Sequence, residues 1–535
     1  MRIRRTVSRR QFLELSTVAA ASAATFSVID RPTAISAQSG TPAADAQPGG
    51  TLNYAEAGDF EDFNPWAFSA VNMGIYNQVF SRLLWKDTEG ELHLDIAESW
   101  QLADDGLSMT LSLRQDVTWQ DGQGCTAEDF VTMFGYLQDE ALSEYEGVSK
   151  IQGLFAPITE VLASDEYTLE LRFSAPVPYV LDILDYWFAI RIADPADPQM
   201  LNALPVGTGP FAMTEWEPAQ YVQLEKYDGY FQPDLPYLDG IMFQRLDRAE
   251  TLVPNLQSGS ISGIQLTAPS EVGPLLEDDN YTVDIIEAAG SIFNIIVNVN
   301  KPPFDQQAVR QALSYSLNRE GMAQTAFFGV STPIVSPFFS PSSLAYREDL
   351  VMAHPYDLEM AASLLEEAGV SDLQMTINVT PVWPQMELFC LIWQADLQQI
   401  GVNLTVNEIE AAQFYDIGGA ADLLGFDVHP WVVGRTTRDP AVFFATQTIY
   451  RGGDVNRFGY VNEEIEELVA QGAAEVDEET RRGIYQQLNE IVVDSCHMIQ
   501  VATDPRIWVF DASVDGAQWD LNGNIHAGAV WLDQS

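Results

Sequence analysis

The sequence predicts an α/β fold built from more than one folded unit. Three observations predict it. Helical and strand patterns alternate through the later half of the chain, as they do where helices pack on a sheet. Earlier stretches alternate polar and apolar residues with the period of half-buried strands. The chain has 535 residues, 47% of them hydrophobic, a length that suits roughly three or four units at about 100–200 residues each. The same composition, with 11% aromatics, excludes global disorder.

Taken in order, Thr51 to Ala55 reads as a short strand. Asp59-Phe60-Glu61-Asp62-Phe63-Asn64-Pro65 is a turn rich in carboxylates and aromatics. Residues 71–84 read as a helix, with Met73, Ile75, Tyr76, Val79, Phe80, Leu83 and Leu84 on its apolar face. Ser108 to Arg114 alternates as a half-buried strand. Thr126 is placed to cap the next helix, with Asp129 in capping-box position and Phe130, Val131, Phe134 and Leu137 inward. Tyr167 to Phe173 is another alternating strand, closed by Pro176 and Pro178. Residues 200–265 are strand-rich, with turns at Gly207-Thr208-Gly209-Pro210 and Asp239-Gly240. Ile292 to Val299 is a strongly apolar strand, and Asp305 is expected to cap a helix running to about Asn318. A helix from Asp357 to near Gly369, a strand 373–379, a helix 385–400 ended by Gly401 and a strand 402–409 supply the α/β alternation. Two amphipathic helices, about 462–471 and 477–494, follow.

Residues 1–37 differ from the rest. Arg2, Arg4, Arg5, Arg9 and Arg10 form a basic head, and Ser8-Arg9-Arg10-Gln11-Phe12-Leu13 matches the twin-arginine pattern ahead of a mildly apolar stretch. That combination predicts a twin-arginine signal peptide, with a flexible linker over 38–49. No cysteine follows the apolar stretch, so no lipoprotein anchor is expected, and no later stretch offers ~20 uninterrupted apolar residues. A mature chain working outside the inner membrane is the expectation.

Lysine plus arginine number 26 against 77 aspartate plus glutamate, a formal net charge of -51. So acidic a surface repels phosphate backbones and anionic membranes, which excludes nucleic acid as a partner. Lysine stands only at Lys86, Lys150, Lys226 and Lys301. An acid-rich, lysine-poor surface suits water of high ionic strength, where salt screens self-repulsion; a lineage bias in composition gives the same pattern. Cys125, Cys390 and Cys496 form no CxxC pair, so buried inert thiols are expected rather than a zinc or redox site.

Enzyme signatures fail one by one. Gly207-Thr208-Gly209 is followed by Pro210, which removes a backbone N–H that a phosphate loop needs. Gly259-Ser260-Ile261-Ser262-Gly263 carries isoleucine where a nucleophile elbow needs serine. His93, His354, His429, His497 and His526 include no i, i+4 pair, so no metal site is expected, and no cofactor signature is present. A chain rich in tryptophan and tyrosine without a nucleophile–base set points to binding rather than catalysis, a secreted hydrolase being the competing class.

An ordered set of motifs then carries a resemblance. Ala97-Glu98-Ser99-Trp100, Asp104-Asp105-Gly106-Leu107, Trp119, Asp121-Gly122 and Thr126-Ala127-Glu128-Asp129-Phe130 open it. Val206-Gly207-Thr208-Gly209-Pro210-Phe211, Leu256-Gln257-Ser258-Gly259, Asn300-Lys301-Pro302-Pro303-Phe304-Asp305, Val309-Arg310-Gln311-Ala312-Leu313 and Gln394-Ala395-Asp396-Leu397 continue it. The set resembles extracellular solute-binding protein family 5, the peptide/nickel-type receptors of ABC importers. The resemblance implies a two-lobed, periplasmic-binding-protein-like fold of type II. Lobe 1 would comprise 50–82, 204–298 and 505–535, with an extra subdomain over 83–203; lobe 2 would run over 299–504. It also implies closure on a solute by a hinge, delivery to a membrane permease and its ATPase, and a monomer.

The resemblance also bears on the ligand. In peptide-binding members a tryptophan begins a segment of the second lobe and an aspartate three residues on holds the peptide amine. Trp431 fits the tryptophan, Gly434 stands where the aspartate would be, and the nearest acid is Asp439. Thr380 stands where dipeptide receptors carry an arginine. Ordinary dipeptides are therefore not expected, longer peptides are, and sugars, nickel complexes or another small solute form the alternative. Phe60, Phe63, Asn64, Trp383 and Trp431 are the cleft candidates, the aromatics being equally readable as core. Arg435, Arg438, Arg451 and Arg457 cluster in a chain short of cations, which reads either as a seat for an anionic group or as internal salt bridging.

Overall fold

The computed structural model describes residues 46–56, 60, 63–66, 72–139, 148–192, 204–246, 248–266, 268–419, 426–433, 439–453, 456 and 458–533. The expected export segment, most of the linker, and Arg435, Arg438 and Arg457 lie outside them. The fold is mixed α/β. One compact unit holds the chain up to Ala175, Ile183–Ile286 and Arg506–Ser535; the other holds Pro176–Asp182 and Glu287–Pro505. Among the described residues no helix is long and apolar enough to cross a membrane.

The first unit is centred on a mixed sheet. Its strand order is Phe211–Glu217, Tyr221–Lys226, Gly240–Arg245, Thr51–Glu56, Gly263–Leu266 and then the later part of Met498–Asp511. Thr51–Glu56 lies parallel to both of its neighbours. A second, antiparallel sheet in the same unit has the order Ala97–Leu102, Ser108–Leu113, Thr168–Phe173 and Ile158–Asp165. The alternation at 108–113 works as read: Met109, Leu111 and Leu113 are buried, Thr110 and Ser112 exposed. Helix Ala127–Leu137 starts on the expected capping box, the Thr126 N–H donating to Asp129 Oδ2 at 2.8 Å.

The helix read over 71–84 is shorter than its periodicity suggested. It spans Met73–Val79, Phe80 is extended, and Leu84–Lys86 is a strand paired with Leu92–Leu94. The cause is the turn at Gly207-Thr208-Gly209. Gly209 N–H donates to the Val79 carbonyl at 2.9 Å and Gln120 Nε2 donates to it at 3.0 Å, so the carbonyl is taken from outside the helix. Both glycines are needed for that approach, because a Cβ on Gly207 would stand 2.0 Å from the Val79 oxygen.

Beyond the break sits Arg82, 2% exposed. Its guanidinium donates to Asp185 Oδ1 at 2.7 Å, to Asp520 Oδ2 at 3.1 Å and to Asn77 Oδ1. Asp520 is itself fully buried, and its other oxygen accepts from Asn522 N and Asn524 N at 2.9 Å each. One buried cation thus ties together three distant stretches of the first unit.

The second unit has the sheet order Asn403–Glu408, Gln374–Val379, Val428–Val433, the later part of Tyr281–Val297, and the first part of Met498–Asp511. Its core is dense in large rings, with Phe293, Phe327, Phe389 and Trp393 all at 1% exposure or less. Helices Leu358–Glu367, Glu463–Ala474 and Glu478–Ser495 start at Asp357, Asn462 and Asp477, whose side chains accept backbone N–H groups. The helix read from Asp305 to Asn318 is instead two: Gln307–Tyr315, with Gln306 at its N-cap, and Arg319–Thr325, capped by Asn318. Buried Arg319 explains the interruption. Its guanidinium donates to the Ser314 carbonyl at 2.9 Å, the Gln500 carbonyl at 2.8 Å and the His354 carbonyl at 3.1 Å, closing the first helix with a cation. All three cysteines are buried and free, and burial pushes the Cys496 thiol up to about 12.

Arg82→Met removes the guanidinium held between Asp185 and Asp520 and leaves two carboxylates buried together. A loss of about 3–5 kcal/mol is expected in urea unfolding, the cost of breaking a buried ion pair by removing one partner; a loss under about 1 kcal/mol would contradict this account.

Candidate functional site

In an open α/β sheet, ligands bind outside the carboxyl ends of the parallel strands, where connecting segments leave room. In the first unit those ends are Glu56, Arg245 and Leu266. Met498–Asp511 runs antiparallel there, with Leu266 opposite Ile507, so the chain joins this unit at Arg506 on the same edge. In the second unit the parallel strands end at Val379, Glu408 and Val433. Ile292 lies opposite Val433, so the chain enters that unit on its carboxyl edge as well.

Phe60, Phe63 and Asn64 follow Glu56 at the first of these edges, at 1%, 2% and 5% exposure. The Phe63 ring meets Trp216 edge to face at 5.0 Å, and Trp216 Nε1 donates to the Phe60 carbonyl at 3.0 Å. Asn64 Oδ1 accepts from Trp66 N at 3.0 Å. These three side chains therefore build the wall of the edge, while Trp216 is half-buried.

Trp383 and Trp431 stand at the edge of the second unit, both half-buried. Trp383 precedes helix Pro384–Gln399 and meets Phe293 at 6.0 Å. Trp431 stacks on Phe414 at 5.8 Å and packs against both hydrophobic clusters of its unit. His429, one step along the same face, is fully buried beside Phe414 and Phe426. Burial pushes its imidazole down to about 3, which favours the neutral ring, and among the described residues neither ring nitrogen has a hydrogen-bond partner.

Asp439 is 3% exposed. It caps helix Pro440–Thr446, with Oδ1 accepting from Ala441 N at 2.9 Å, and Oδ2 pairs with Arg481 at 2.5 Å. Of the clustered arginines, Arg451 is described, and it holds Glu466 through two nitrogens. Internal salt bridging accounts for that member. Among the described residues no group of three or more His, Cys, Asp or Glu side chains is arranged to hold a metal ion.

Sequence reading missed Glu56 and Trp216. Glu56 is 7% exposed, and burial pushes its carboxyl up to about 8 against the pull of Arg506. A signal was present: Leu52, Tyr54 and Glu56 share one face of a strand, so an acid occupies an inward position.

Residues 91–452 match the family described as bacterial extracellular solute-binding proteins, family 5 Middle. The chain belongs to this family. As a family 5 protein it is the solute-binding component of an ABC importer, and it is not an enzyme. The glutathione-binding protein GsiB of Escherichia coli (strain K12) is 25% identical over 481 residues, covering 86% of this chain and 90% of that protein. Two solved structures share the fold. The substrate-binding protein CtaP of Listeria monocytogenes has a TM-score of 0.80 at 22% identity, covering 91% of this chain and 100% of its own. DppA of Helicobacter pylori, in complex with the peptide STSA, has a TM-score of 0.77 at 22% identity, covering 91% of this chain and 99% of its own.

Asp439→Asn keeps the helix cap but leaves the buried Arg481 without its counter-charge. Unfolding free energy is expected to drop by about 3 kcal/mol or more. Urea denaturation monitored by tryptophan fluorescence reads it, and an unchanged midpoint would refute the structural role.

Proposed function

We propose that this family 5 protein captures peptides longer than ordinary dipeptides, closing on them by a hinge motion and presenting them to a membrane permease and its ATPase. The observation that carries the reading is the aromatic lining of the carboxyl edges: Trp216 in the first unit, Trp383 and Trp431 in the second. Half-buried indole rings offer large contact area at low entropy cost, which suits guests of varied side chain. Relatives of peptide-binding name support it. GsiB is named for glutathione, and AppA of Bacillus subtilis was solved with a nonapeptide. Thr380, 1% exposed, carries no charge to hold the carboxylate of a dipeptide. NikZ of Campylobacter jejuni, solved with Ni(L-His), keeps a metal complex as the alternative, beside oligosaccharides.

On this reading Phe60, Phe63, Asn64 and Arg435 shape or serve the site, Asp439 supports it from beneath, and residues 83–203 act as an extra subdomain of the first lobe. Twin-arginine export delivers the monomer to the outer side of the inner membrane.

A pool of tri- to pentapeptides at about 100 times Kd is expected to stabilise the protein by about 2.7 kcal/mol, read as a rise in Tm. A rise with oligosaccharides or nickel–histidine, and none with peptides, would overturn the peptide assignment. Separately, the -51 charge leads to a salt dependence. Tm is expected to climb as NaCl rises from 0.1 towards about 1 M, where the Debye length shrinks from ~10 to ~3 Å; a flat or falling Tm would sink the high-salt reading.

A further inference from the structure

Three asparagines stand in the pattern Asn-X-Ser/Thr with X other than proline: Asn280-Tyr281-Thr282, Asn378-Val379-Thr380 and Asn403-Leu404-Thr405. In a chain that works outside the cytoplasm, as family 5 proteins do, this spacing is the acceptor pattern for an N-linked glycan. The acceptor must lie on the surface, and its backbone must enter the groove of another protein.

The fold separates the three. Asn378 is half-buried in Gln374–Val379, a strand with a neighbour on each side, and Thr380 is 1% exposed. Asn403 is exposed, but it is paired in register with Gln374, and its N–H donates to the Leu373 carbonyl at 2.8 Å. Thr405 is fixed opposite Thr376 in the same ladder. Backbone held in a ladder that covers a core opens only at high cost.

Asn280 differs on each count. It follows the short helix Val272–Leu276 in the first unit. The Asp278 carbonyl accepts from Tyr281 N at 3.2 Å, so Asn280 is the third residue of a four-residue turn. Asn280 is exposed and Thr282 half-buried. The turn is shaped locally: Asn280 N and Asn280 Nδ2 donate to Asp278 Oδ1 at 3.0 and 2.7 Å. The Asn280 carbonyl accepts from Ala512 N at 2.8 Å. Ala512 lies just past Phe510, which is opposite Gly263, the first residue of Gly263–Leu266. Asn280 thus stands at the amino edge of that strand, away from the aromatic carboxyl edge.

A cavity of about 220 Å³ adjoins the turn, and Asp278, Asp279, Tyr281 and Thr282 are among its lining residues. Phe510 and Asp515 line it as well. Carboxylates accept hydrogen bonds from sugar hydroxyls, and aromatic rings offer an apolar face to a pyranose.

We propose that Asn280 is the acceptor of an N-linked oligosaccharide, read within Asp278-Asp279-Asn280-Tyr281-Thr282, and that the adjoining cavity seats the first sugars. The co-reactant is an oligosaccharide carried on a polyisoprenoid lipid diphosphate, transferred by an enzyme of the membrane. The step balances. Asn280 Nδ2 forms a bond to the anomeric carbon, and the bond from that carbon to the diphosphate oxygen breaks. The electron pair leaves with the lipid diphosphate, and Nδ2 gives up one proton to solvent. A hydrated, bulky group at this place leaves the aromatic edge of the first unit clear.

Intact-mass measurement and peptide mapping of the protein purified from the extracytoplasmic fraction of its own cells test this. The wild-type chain is expected to carry added mass, located by electron-transfer fragmentation on the peptide that contains Asn280. Asn280→Gln and Thr282→Val should each lose it, while Thr282→Ser, which keeps the hydroxyl, should retain it. Circular dichroism checks that each variant is folded. An unmodified Asn280 in the wild-type protein, or added mass that survives in both Asn280→Gln and Thr282→Val, would overturn the assignment. Sugar on Asn378 or Asn403 in place of Asn280 would overturn it too.

Discussion

Parallel strands cannot be joined by hairpins, so each connection must cross over a face and return to the starting edge. That constraint fixes where this protein can carry function. In both units the parallel strands deliver their carboxyl ends to one edge, and the segments that follow them are free of ladder duties. Glu56 leads into Phe60, Phe63 and Asn64; Val379 leads into Thr380 and Trp383. The long antiparallel strands Tyr281–Val297 and Met498–Asp511 join each unit at that same edge. The aromatic side chains that follow the strand ends and the points where the chain enters or leaves thus lie on the same margin within each unit.

Scarcity of cations shapes the interior as well as the surface. Several of the 26 basic residues are drawn inside: Arg82, Arg310, Arg319 and Arg481 are all buried. Each serves carbonyls or carboxylates that a mainly hydrophobic core would otherwise leave unsatisfied. Arg310 illustrates this, donating to the carbonyls of Phe304, Asp305 and Ser495 rather than to an acid. The outer surface is left dominated by carboxylates. Arginine suits this interior role because its planar, weakly hydrated fork reaches several acceptors at once, which a lysine ammonium does not.

Much of this architecture was legible from residues alone because it follows from local physics. The capping box at Thr126 and Asp129, the cap at Asp357 and the left-handed ends at Gly369 and Gly401 each state a boundary within a few residues. The two helices misjudged in extent show where local reading stops. At Val79 and at Ser314 the apolar period continues in sequence, but a distant group takes the terminal carbonyl: a glycine turn more than a hundred residues later in one case, a guanidinium past the next turn in the other. The candidate site was legible as a set of aromatic residues after strand ends. Which of them are wall and which are half-open was not, because Phe63 is sealed by Trp216, a partner that periodicity cannot place beside it.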